Sequence, residues 1–93
     1  MIRHIVFFKH QDKQKVDKLS NMLIELEEKI DFIIDLEVGI DFLHSARSFD
    51  LALTVTLPSR EHLGLYAEHP EHLPIVEWVK ANGFESKAVD YDM

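Results

Sequence analysis

Residues 33–57 read IIDLEVGIDFLHSARSFDLALTVTL, and their alternation decides the architecture. In an extended chain Ile34, Leu36, Val38, Ile40 and Phe42 share one face, with Asp35, Glu37, Gly39 and Asp41 on the other. Alternation of this length predicts a strand over 33–43. Gly39 inside it marks a bulge or a close approach of another backbone. After a short connection at 44–47 the alternation resumes over 48–57. Phe49, Leu51, Leu53, Val55 and Leu57 line one face, and Ala52, Thr54 and Thr56 line the other. A connection that short makes 33–57 an antiparallel hairpin.

Upstream, residues 2–10 also read as a strand. Ile2, His4, Val6 and Phe8 lie on one face and Ile5 and Phe7 on the other. Both faces are apolar, the pattern of a strand covered on both sides. Asp12 then offers an N-cap. Val16, Leu19, Leu23, Leu26 and Ile30 follow at spacings of three and four, which predicts one amphipathic helix over 13–30.

Downstream, Pro58 and Ser59 end the hairpin and open a second helix with Ser59 as its cap. That helix should stop near His69, because the residue before a proline avoids helical backbone. Pro70 and Pro74 leave two arrangements open: a turn at 70–73 with a helix from Pro74, or a helix bent there. Asn82-Gly83 is a stop signal. A last strand over 84–91 carries Ala88, Val89 and Tyr91 as its apolar members.

The order β-α-β-β-α-β, with the second helix in two pieces, is that of a ferredoxin-like α+β sandwich. It spans 1–93 as a single domain, with no linker or repeat to divide it. An antiparallel four-stranded sheet of this kind carries its helices on one face. Its other face is left bare, although the first three strands put apolar or weakly polar residues there. A second copy related by a two-fold axis is the simplest cover, so a homodimer is expected, its two sheets approximating a barrel.

Composition narrows the partners. Seventeen acids against ten bases give a formal charge of -7. Such a chain repels phosphate backbones, which argues against nucleic acid, and against an anionic membrane surface for the same reason. No stretch approaches the roughly 20 apolar residues of a membrane span, and the run Ile5–Phe8 is too short for a secretion signal. There is no cysteine, which excludes disulfides, thiolate metal sites and a Cys nucleophile, and fits a reducing cytoplasm.

The stretches RHIVFFK at 3–9, LEVGID at 36–41, RSFDLALTVTLPS at 47–59, YAEHPEHLPIVEW at 66–78 and ESKAVDYD at 85–92 resemble, in order, the stress-responsive alpha/beta barrel domain (Dabb) family. The YxxHPEH core and the RSFDLAL strand are the specific parts. The resemblance implies a dimeric alpha/beta barrel. Plant relatives include a stress-induced stable oligomer and a polyketide cyclase. In the cyclase a Tyr and a His at positions matching Tyr66 and His72 carry the chemistry, with a first-strand His matching His4 in the same pocket. The chain departs from the cyclase at Leu51, where the cyclase has a further His.

The residue types support such chemistry on their own terms. A His near neutrality can take a proton from carbon next to a carbonyl. A Tyr hydroxyl can hydrogen-bond the oxygen on which enolate charge develops. His72 would be the general base, Tyr66 the donor and His4 an orienting or binding group, with no cofactor. The structural alternative has Tyr66 bonding a backbone carbonyl, His72 tying down a helix start and His4 as a core residue. His69 and His72, with Glu68 and Glu71, approach a metal-ligand spacing, but Pro70 interrupts the helix between them and no third His joins them. No metal is expected there, although a Mg²⁺ held loosely by carbonyls and carboxylates stays open. Arg47 and Asp50 are expected to pair and fix the hairpin or the dimer edge, with substrate binding as the lesser alternative. Three functions remain: binding of a small apolar ligand in a helix–sheet cleft near His4, Tyr66 and His72; a cyclase-like lyase or isomerase; and a purely structural oligomer. A cleft filled by Phe7, Phe8 or Trp78 would favour the last.

Overall fold

The central hairpin forms where the alternation puts it, but it is shorter at three of its four ends, with only Leu57 where expected. In the computed structural model, which describes residues 1–93, β2 is Asp35–Ile40 and β3 is Leu51–Leu57. Residues 41–50 connect them, a longer loop than the expected 44–47. Asp41 ends β2: its carboxylate accepts the His44 amide at 2.7 Å and holds His44 at a φ of 53°. The alternation past Asp41 therefore projects Phe42 and Leu43 into solvent instead of extending the strand. Asp50 does not pair with Arg47. Its backbone amide bonds Phe8 O at 2.8 Å and its carboxylate accepts the His10 amide at 2.9 Å, so it fastens the loop to the first strand.

That strand, β1 (Ile2–Lys9), lies between β3 and the last strand, β4 (Glu85–Asp92), giving the order β2-β3-β1-β4 with antiparallel neighbours throughout. The expected helix over 13–30 is two helices, α1 (Lys13–Ile24) and α2 (Leu26–Lys29). At Glu25 the backbone stays right-handed but the turn tightens, its amide reaching Leu23 O. The apolar stripe survives the break, and Val16, Leu19, Leu23, Leu26 and Ile30 are all buried. Asp12 caps α1 by accepting the Gln14 amide at 2.9 Å.

Helix α3 (Arg60–Ala67) stops two residues short of His69. Ser59 flanks its start without capping it, because the hydroxyl is engaged by His62 Nδ1 at 2.8 Å. A turn then leads into α4 (Leu73–Ala81), with Pro74 in its first turn, where its missing N–H is harmless. This is the turn-then-helix arrangement. Gly83, at φ 71°, makes the reversal into β4 that a side chain would strain.

Ile2, Val6 and Phe8 of β1 face the helices together with Leu51, Leu53, Val55 and Leu57 of β3, and Leu19, Leu23, Leu26 and Ile30 complete the core. The opposite sheet face carries no helix. There Phe7, Val89 and Tyr91 stay 46%, 60% and 41% exposed. No helix is long and apolar enough to cross a membrane.

Candidate functional site

The β1–β4 register sets the first part of the site. It places His4 opposite Asp90, both on the helix-facing side of the sheet. His4 Nδ1 makes a short contact with Asp90 Oδ1. Tyr66 comes from the last turn of α3 and His72 from the residue preceding α4. The tyrosine ring sits between the two imidazoles, edge-on to His4 at 5.7 Å between centroids and tilted against His72 at 4.4 Å. The turn at 68–72 thus brings together the three residues that the sequence singled out.

Tyr66 is 1% exposed and its hydroxyl has no hydrogen-bond partner. The structural alternative gave that hydroxyl a backbone carbonyl, and the structure corrects it. His72 Nδ1 does reach a backbone oxygen, Ala67 O at 3.1 Å, across the turn before α4. With an oxygen facing each Nδ1, that nitrogen is the donor, and in neutral His72 the Nε2 is left as an acceptor. Burial pushes the Tyr66 hydroxyl well above its ordinary value of 10.0. Burial lowers His72 from 6.5, opposed by the Ala67 hydrogen bond and reinforced by the neighbouring His4 and His69.

These shifts imply opposite stability limbs. Below 6.5 the unfolded chain protonates His72 before the folded one does, so the stability it contributes is present above 6.5 and lost as pH falls. Above 10.0 the unfolded chain ionises Tyr66 first, so its contribution is present below 10.0 and lost as pH rises. Urea unfolding across the acid range should therefore lose part of its slope in His72→Gln. An unchanged slope would show that His72 is not protected in the fold.

Beside the imidazoles lies a cavity of about 290 Å³ between α4 and the sheet. His4 and His72 line it, with Val6, Phe8, Leu53 and Ile75 among its apolar walls. Tyr66 is behind this lining. Phe8 forms a wall without filling the space, Trp78 packs on Phe84 at 5.5 Å, and Phe7 is on the far side of the sheet. His69 turns away from His72, its Nδ1 accepting the Glu71 amide and its ring meeting Phe32 at 6.2 Å. No cluster of three or more His, Asp or Glu side chains is placed to hold a metal. Leu51, the departure from the cyclase pattern, is buried in the core.

Asp90 escaped the sequence reading. It belongs to the site only through the pairing of strands 86 positions apart, and the alternation of ESKAVDYD does not reveal that register. His10 is also structural: its Nδ1 accepts the Asp12 amide at 2.9 Å and its Nε2 lies 2.8 Å from Asn82 O, tying β1 to the ends of α1 and α4.

A ferredoxin-like α+β domain with a helix–sheet cleft is therefore the class of protein defined here. The pattern of the stress responsive A/B barrel domain matches residues 2–93, and the chain belongs to that family. It is 32% identical over 80 residues, 83% of its length, to a stress-response A/B barrel domain-containing protein of Arabidopsis thaliana. It spans about 30% of that relative's length. Among solved structures, a dimeric ferredoxin-like protein of unknown function from Bacteroides fragilis superposes with a TM-score of 0.83 at 25% identity, covering 99% of this chain and 95% of the other. The hydroxynitrile lyase of Passiflora edulis superposes with a TM-score of 0.81 at 19% identity, covering 99% and 92%, a likeness of fold.

Proposed function

We propose that this chain is a homodimeric small-molecule-binding domain of the cytoplasm, holding a small apolar ligand in the cleft beside His4, Tyr66 and His72. The observation that carries this is an apolar cavity ending at two imidazoles, each with Nδ1 already engaged. Ligand pockets are mostly apolar with a few fixed polar groups, and this one is at the small end of their range. The structural-oligomer reading needed a cleft filled by side chains, and this cleft is open.

The unpartnered Tyr66 hydroxyl favours a second reading, a cofactor-free lyase or isomerase. A buried hydroxyl without a partner is costly, and a substrate oxygen would supply the missing bond. In that chemistry His72 Nε2 removes a proton from carbon next to a carbonyl. The electron pair moves onto the carbonyl oxygen, which accepts a hydrogen bond from Tyr66 once the lining in front of its hydroxyl gives way. The carbon then attacks a second carbonyl of the same molecule, and the new alkoxide takes the proton back from His72. Burial suits both roles, keeping Tyr66 protonated and His72 neutral. Asp90 holds the His4 imidazole, which lines the cleft, by its Nδ1. The Passiflora lyase has the same fold at an identity too low to lend its activity.

A crystal structure of the protein as purified tests the binding reading. Density for a co-purified molecule beside His4 and His72 is the expected result, and a dry cleft closed by side chains would overturn it. For the catalytic reading, His72→Ala with the fold retained should lower turnover on the order of 100-fold or more. A smaller loss would remove His72 as the base.

A further inference from the structure

The cavity has a second polar end. His72 precedes α4 and Lys80 lies in its last turn, eight residues on, which is about 12 Å along the helix. Ser86 is four residues from Asp90, the partner of His4, or about 13 Å along β4. Lys80 and Ser86 both line the cavity, and between them and the imidazoles the walls are Val76 of α4, Val6 of β1 and Ala88 of β4. The slot is thus elongated: two imidazoles at one end, an apolar middle, an ammonium and a hydroxyl at the other.

Lys80 is exposed and takes part in none of the molecule's ion pairs, although the chain carries an excess of acids. Its near neighbour on α4, Glu77, does not engage it, and the Asn82 side chain turns instead to Trp78 O. A free cation at the rim of an apolar slot attracts the anionic end of an amphiphile.

We infer that the cleft selects a slender amphipathic carboxylate, its acid group held by Lys80 at the mouth and its far end delivered to His4 and His72. This rests on the reading of the cleft as a ligand site and adds a chemical class to it. The ligand is a chain of medium length, since 290 Å³ is too little for a polycyclic molecule of drug size. Lys80 sets polarity of entry and does not touch the reacting atoms.

Octanoate and octan-1-ol share a chain and differ in the charged end, so they separate the two claims. Titrations of each into the dimeric protein, followed by calorimetry and by amide chemical shifts, should place octanoate against Val79, Ser86 and Ala88. Octanoate should bind about five-fold tighter than the alcohol, the scale of one partly exposed ion pair, and this margin should shrink as salt is added. Lys80→Met should remove the margin by weakening octanoate alone, and Lys80→Arg should restore it. Equal binding of the two probes, unaltered in Lys80→Met, would overturn the role of Lys80 while leaving the cleft as a ligand site. Binding of neither probe would overturn the cleft reading and this inference together.

Discussion

Tyr66→Ala is expected to lower the unfolding free energy by about 3–5 kcal/mol, whereas Tyr66→Phe raises it by about 1 kcal/mol. The two substitutions separate the ring from its hydroxyl. The ring is 1% exposed and wedged between His4 and His72, where deleting it leaves a void next to an existing cavity. A void in a close-packed interior forfeits both transfer and contact energy. The hydroxyl is different. It is buried with no partner, so the fold carries its desolvation without a compensating bond. Phenylalanine keeps the ring and drops that burden. For a domain of this size each kcal/mol is roughly 4–8 °C, so Tyr66→Ala should melt at least about 12 °C lower. Melting has to be compared at one protein concentration, because association shifts it. Tyr66→Phe should also lose the fall in stability above pH 10.0, since the group that ionises there is gone. If Tyr66→Phe were instead less stable than the parent, the hydroxyl would have a partner in solution, and the site would lose its orphan donor.

A protein that keeps such a group against its own stability does so where the group works on something else. That is why the sign of Tyr66→Phe bears on function. A gain in stability with a loss of ligand binding or turnover identifies a residue retained for chemistry. A gain with no loss identifies a packing residue whose hydroxyl is incidental.

The fold was legible because its signals are local. The stripe Val16, Leu19, Leu23, Leu26 and Ile30 repeats at helical spacing, and every member is buried even though the helix breaks at Glu25. Leu51 to Leu57 alternate as a strand alternates, and their inward members are core. What failed was the extent of elements, and one kind of cause recurs. Asp41 captures the His44 amide and Asp50 captures the His10 amide, so side chains competing for backbone donors end β2 early and delay β3. Hydrophobicity does not record that competition, and Phe42 kept the pattern alive one step past the strand.

The site divides in the same way. Tyr66 and His72 are six residues apart, and a turn closing on Pro70 and Pro74 brings their rings together, so their association could be read from one segment. Asp90 and Lys80 could not. Asp90 needs the register of β4 on β1, a pairing between the two ends of the chain. Lys80 needs the relative tilt of α4 and the sheet, which decides whether the helix leaves a slot beneath it. Neither is a property of sequence spacing, and each adds a charged group to what otherwise reads as an apolar cleft.

Phe7→Asp is expected to turn the protein from dimer to monomer at micromolar concentration, raising the dissociation constant on the order of 1,000-fold. The bare sheet face is the reason. Phe7 stands in the second strand from its edge, 46% exposed, beside Ala52 on β3 and Lys87 on β4, with the Phe49 ring 6.3 Å away. Val89 and Tyr91 widen the apolar area toward the β4 edge. In an isologous dimer each residue enters the interface twice. Removing an aromatic anchor costs about 2 kcal/mol per copy, hence about 4 kcal/mol per dimer, which is nearly three powers of ten. The buried carboxylates would add to this. Ile24→Asp is the matching control, because Ile24 is equally exposed, at 51%, but lies on the helix layer, away from the bare face. Sedimentation velocity should find the parent and Ile24→Asp dimeric and Phe7→Asp monomeric, with helix content unchanged in all three. A monomeric parent would leave the apolar sheet face without its second copy. A dimeric Phe7→Asp would move the contact elsewhere, to the protruding Phe42 and Leu43 as the next exposed apolar pair. The cleft of His4 and His72 is on the opposite side of the sheet from Phe7, so ligand binding should survive in the monomer. Its loss there would mean that the two faces communicate through the single layer of β1, whose successive residues point alternately to one and to the other.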